Sequence, residues 1–218
     1  LGTEIARLTE VLKTPTEDLY WSQKIWEQEA RTDLATTNQG NGWAAVKPAS
    51  ALSEGGATLT VNDDASILAS GEVPDIESYS ITLPTDQSRI TGIRLEALSD
   101  ASLPKGIARR GTVVVITGFS VTAHHGDPIA ATPVVLAKAD SDRTVPQYPI
   151  SSLIDGKDGN AWVVYSDKPK TDKATAVFTF AEPIEGGPGT VLTVRVESRS
   201  KVAPGTSPGR IRLSLTKA

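Results

Sequence analysis

The chain has 218 residues, with 22 basic and 26 acidic side chains, a net charge of −4, two histidines and no cysteine. The missing cysteine excludes disulfide scaffolds, thiol nucleophiles, Cys-ligated zinc, iron–sulfur clusters and covalent haem attachment within the chain. Mild acidity gives no electrostatic footprint for nucleic acid or an anionic membrane, and no apolar run of about 18 residues is present to span a bilayer.

Leu1, Ile5, Leu8 and Leu12 recur at the spacing of one helix face. Thr14-Pro15-Thr16-Glu17 then carries a capping residue, a proline suited to the first helical turn and a glutamate that reaches back to the cap. Residues 1–36 are therefore predicted as an N-terminal α-helical hairpin. The polar stretch Asn38-Gln39-Gly40-Asn41-Gly42 is the expected boundary.

From residue 43 to 218 the pattern is that of strands. Apolar or alternating runs occur at 43–46, 57–61, 79–83, 90–98, 112–121, 134–137, 161–165, 174–180, 190–196 and 210–215. Asn62-Asp63-Asp64, Ser70-Gly71, Asp155-Gly156, Gly186-Gly187-Pro188-Gly189 and Pro204-Gly205 punctuate them as turns. This predicts a mainly β domain, an antiparallel β-sandwich or jelly roll of about eight to ten strands. The β-branched run Thr112–Thr117 suits a strand buried on both faces. Arg210–Leu215 alternates as a strand with one face in the core and one in water.

Motifs for catalysis are thin. Gly40-Asn41-Gly42 precedes a strand instead of opening a helix, so it is not a dinucleotide loop. Ser120 sits inside a strand and lacks the elbow of a serine hydrolase. His124-His125 lie beside Asp127 and could ligate a metal, but an extended chain points neighbours apart, so they read as a polar turn closing the preceding strand. Glu54, Asp63, Asp64 and Glu96 are the carboxylates available to a hydrolase. No enzymatic activity is expected.

Asp155-Gly156-Lys157-Asp158-Gly159-Asn160 is an acidic glycine-bearing loop, which makes Asp155 and Asp158 the candidate ligands of a structural calcium. Sugar recognition needs aromatic faces for C–H stacking and polar groups for hydroxyls. Aromatics are only 5% of the chain, so the choice is short. Tyr148, between Pro146 and Pro149, reads as exposed, Trp162 as core, and Tyr165 and Trp43 as further platforms. Asp158, Asn160, Arg109 and Arg110 are the polar partners offered by neighbouring loops.

An ordered set of segments carries a resemblance. It runs through Ser53–Val61, Ile67–Gly71, Tyr79–Thr82, Ile90–Leu98, Ser102–Pro104, Tyr148-Pro149, Ile154–Gly156, Trp162, Thr175–Phe178 and Gly209–Leu215. This set resembles the sandwich segment inside large exported cytochrome c-type proteins of planctomycetes and related bacteria. The spacing from Asp155-Gly156 to Trp162 also resembles the discoidin or galactose-binding-like superfamily. Where those cytochrome-type proteins carry a Gly-Pro-Gly stretch after Leu-Pro, this chain reads Lys105-Gly106-Ile107-Ala108-Arg109-Arg110. The resemblance implies a non-catalytic polysaccharide-binding module, or a spacer that orients neighbouring haem domains. It further implies an exported chain, periplasmic or at the cell surface, with cytochrome-like domains as partners and haem only in those domains, outside this chain.

Overall fold

In this computed structural model the described residues are 42–143, 145–155, 160–166 and 173–217. The helical hairpin expected over residues 1–36 lies outside them.

Fourteen strands follow in chain order: β1 (Trp43–Ala45), β2 (Ser50–Ser53), β3 (Ala57–Val61), β4 (Ser66–Gly71), β5 (Glu77–Thr85), β6 (Arg89–Leu98), β7 (Val113–Ile116) and β8 (Gly118–His125), then β9 (Thr132–Pro133), β10 (Leu136–Ser141), β11 (Trp162–Tyr165), β12 (Lys173–Glu185), β13 (Thr190–Ser198) and β14 (Arg210–Thr216). They build a seven-stranded sheet, β10-β12-β6-β14-β4-β3 with β1 also on β14, a five-stranded sheet, β2-β5-β13-β8-β9, and the ribbon β11-β7. Every pairing is antiparallel.

Alternation along the strands makes the core. Ile93, Leu95 and Ala97 of β6, Ile211, Leu213 and Leu215 of β14 and Ala176 and Phe178 of β12 are buried from one sheet. Tyr79, Ile81 and Leu83 of β5, Leu192, Val194 and Val196 of β13 and Phe119 and Val121 of β8 are buried from the other. Phe119 stacks on Phe178 across the two sheets, which face each other as a sandwich.

Several expectations are met and several are corrected. Val114 and Ile116 enter the main core while Val115 enters a second cluster with Ala161 and Val163, so β7 is buried on both faces. The run expected over 112–121 is two strands, because β7 pairs with β11 and β8 pairs with β13. The change of partner occurs at Thr117, whose amide donates to Glu197 O at 2.7 Å. Ser70-Gly71, expected as a turn, ends β4 paired with Thr58 and Ala57. The run expected at 134–137 begins two residues later and extends to Ser141, after the short edge strand β9.

The outer face of β14 is not simply solvated. Ser214 is buried, and Arg210 and Arg212 are engaged in ion pairs with Asp64, Asp100 and Glu96. Glu96 is 2% exposed. Around it stand Arg212 Nε at 2.9 Å, Lys173 Nζ at 3.3 Å and Arg94 Nη2 at 3.6 Å.

Candidate functional site

The ribbon β7-β11 underlies the pocket that Tyr148 and Tyr165 line. Its register sets Trp162 opposite Ile116, Val163 opposite Val115, Val164 opposite Val114 and Tyr165 opposite Val113. With a side-chain period of two, Trp162 and Val164 turn into the core and Ala161, Val163 and Tyr165 turn away from it. Trp162 anchors the ribbon by donating from Nε1 to Arg143 O at 2.9 Å.

The outward face is the floor of a pocket of about 640 Å³. Val113, Val115, Val163 and Ala161 supply the apolar floor, and Tyr148 and Tyr165 stand at it. Tyr148 is held by a tight turn, its amide donating to Val145 O at 2.8 Å between two prolines. The opposite wall is residues 197–203, including Glu197, Arg199, Ser200 and Lys201. Two bonds clip that wall in place: Arg199 N donates to Thr117 Oγ1 at 2.9 Å, and Ala203 N to Ser200 Oγ at 3.1 Å.

Charge at this wall is organised by an ion-pair quartet. Arg195 donates to Glu54, and its Nε meets Glu197 Oε1 at 2.7 Å. Arg199 Nη1 lies 3.6 Å from Glu197 and 4.0 Å from Glu54. The Arg195 hydrogen bond, aided by the charges of Arg195 and Arg199, holds the Glu54 carboxyl below its usual range.

The structure brings three of the expected residues together here: Tyr148, Tyr165 and Asn160. The two tyrosines are 47% and 61% exposed, so their faces are open to a ligand. Asn160 Nδ2 also donates to Asp155 Oδ1 at 2.6 Å, which ties the base of the acidic loop to the pocket edge. Asp158 lies outside the described residues, and Asp155 is the one expected calcium ligand within them. Among the described residues no group of three histidine, aspartate or glutamate side chains is arranged to hold a metal.

The remaining expected residues stand elsewhere. Trp43 is on β1, on the face of the seven-stranded sheet opposite the core, with the Arg94 guanidinium 5.4 Å over its ring. Arg109 is 6% exposed and spends Nη2 on Gly71 O at 3.1 Å. Arg110 reaches Asp75 and Val73 O, both at 3.4 Å. These three side chains are engaged in structure and do not line the pocket.

The four acids weighed for hydrolysis are each paired with a cation: Glu54 with Arg195, Asp63 with Lys47, Asp64 with Arg210, Glu96 with Arg212. Burial raises the Asp64 and Glu96 carboxyls, but hydrogen bonds from Ser66 to the first and from Arg212 to the second, together with nearby cations, leave both below the ordinary range. A general acid needs the opposite shift. His124 and His125, expected in a turn, are instead the last residues of β8, paired with Val191 and Thr190, and His125 Nδ1 lies 3.2 Å from Thr190 Oγ1.

No protein family and no curated protein matches the chain. Among solved structures it is similar to carbohydrate-binding modules of the β-sandwich superfamily described for promiscuous specificity. That similarity has 9% identity, covers 85% of this chain and 58% of the other, and has a TM-score of 0.27. A low-affinity xylan-binding module of Roseburia intestinalis shows 12% identity over 74% of this chain and 95% of its own, with a TM-score of 0.20. Likenesses at these scores carry no argument about what this chain binds. The pocket residues absent from the sequence reading are Glu197, Arg199, Ser200, Lys201, Val202 and Ala203. Their link to Tyr148 is made only by folding.

Proposed function

We propose that the sandwich is a non-catalytic carbohydrate-binding module that takes a polysaccharide chain at the β7-β11 pocket. The observation that carries the reading is the placing of both exposed tyrosines, Tyr148 and Tyr165, at one apolar floor with a polar wall. Sugar rings present apolar C–H faces to aromatic rings and hydroxyls to polar rims, and this pocket offers both kinds of surface. The fuller reading follows the sequence resemblance: a jelly-roll module of a larger exported cytochrome-type protein, periplasmic or at the cell surface, that holds the parent protein to its substrate.

The test is retention of the purified chain on a panel of polysaccharides, with and without calcium. Retention on one glycan class, lost in folded Tyr148→Ala and Tyr165→Ala variants and kept in Trp43→Ala, is the expected result. A folded protein retained by no glycan overturns the reading. A spacer or docking domain that orients haem domains would then stand, since Val113, Val115, Val163 and Val202 would suit a protein segment as well as a sugar face.

A further inference from the structure

We infer that the glycan held at this pocket is anionic, carrying carboxylate or sulfate substituents. The inference rests on the carbohydrate-binding reading above and deepens it. Among the described residues three charged side chains line the pocket: Glu197, Arg199 and Lys201. Glu197 is already neutralised by Arg195 at 2.7 Å, and Arg199 shares the same quartet with Glu54. Two acids and two arginines cancel.

Lys201 is left over. It is exposed at the pocket wall and makes no ion pair or hydrogen bond to any described residue. The phenolic hydroxyls of Tyr148 and Tyr165, which line the same pocket, likewise donate to no described residue. An acidic unit stacked on the tyrosines would set its carboxylate or sulfate against the Lys201 ammonium, a charge-assisted contact. The whole chain carries a charge of −4, so general attraction to polyanions is not the source of such binding.

The test compares the full chain on polygalacturonate, chondroitin sulfate, xylan and glucomannan by affinity electrophoresis, with circular dichroism confirming the fold of each variant. Binding to a uronate or sulfated glycan that weakens with salt and falls about tenfold or more in Lys201→Glu is expected, with Lys201→Arg retaining it. The carboxylate and sulfate arms separate the two sources of anionic charge. Tyrosine-dependent binding to the neutral glycans alone, indifferent to Lys201→Glu, would overturn the anionic assignment and leave the module reading intact. Acidic glycan binding unchanged in Lys201→Glu would overturn it too. No binding to any glycan by the folded chain would overturn both.

Discussion

Phe119 and Phe178 lie with ring centroids 3.9 Å apart and planes within 3° of parallel, one ring from each sheet. Both are buried, so the pair joins the sheets directly at the centre of the core. Phe178→Ala would remove the fully buried partner and open a cavity that the sheets cannot close. A loss of about 3–5 kcal/mol in unfolding free energy is expected from urea denaturation, with Phe178→Leu costing clearly less.

Glu96 is the hub of the outer face of the seven-stranded sheet. Glu96→Gln keeps the side-chain shape but leaves Arg212, Arg94 and Lys173 facing one another without their anion. The expected cost is about 2 kcal/mol, below that of a fully enclosed pair because the cations retain water. The folded carboxyl lies below its unfolded value. Its contribution is therefore present above the unfolded carboxylate range, near pH ~4.3, and is lost as the pH falls through the folded value. Thermal melts across the acid range should show this loss in the parent chain and a smaller one in Glu96→Gln.

Tyr79 donates to Pro208 O at 3.0 Å, and burial pushes its phenol up to about 12 against the opposing pull of Ser207 and Arg109. An unfolded phenol titrates near pH ~10. The stability linked to this group is thus complete below about pH 10 and declines as the pH rises toward the folded value. Ultraviolet titration of the native chain should show one tyrosine ionising late, and Tyr79→Phe should remove that late step.

Gly186 lies in the connection from β12 to β13, against the connection from β5 to β6, and a Cβ there would fall 2.4 Å from Gln87 O. Backbone on the receiving side cannot swing away as a flexible side chain could. Gly186→Ala is expected to cost about 1–3 kcal/mol, read as a lowered melting temperature. Glycan retention by the folded fraction should be unchanged, since neither residue lines the pocket.

Among the strands legible beforehand, β13 buries every second residue, β3 alternates half-buried with exposed positions, and β6, β11 and β14 carry runs of consecutive buried residues that mark them as apolar stretches. β2 was silent because Ser50-Ala51-Leu52-Ser53 has no β-branched residue, and β9 because it is two residues ending in proline. β4 was missed altogether: Ser70-Gly71 carries turn chemistry, yet Gly71 closes a strand at φ 70°. At the site, the prolines flanking Tyr148 announced an exposed ring. Nothing in spacing announced that residues 197–203 would close the pocket opposite it. Arg109, Arg110 and Trp43 had the right chemistry for a ligand, but the fold had already given each a partner.

The floor of the pocket and the heart of the sandwich are two sides of the same pair of strands. In β7 and β11 the even-numbered residues Val114, Ile116, Trp162 and Val164 serve folding, and the odd-numbered Val113, Val115, Val163 and Tyr165 face the pocket. The strand pleat thus writes two texts on one backbone, interleaved letter by letter. Recognition can be revised at every second position while the alternate letters go on specifying the same architecture, which makes this ribbon the natural place to diversify a binding surface.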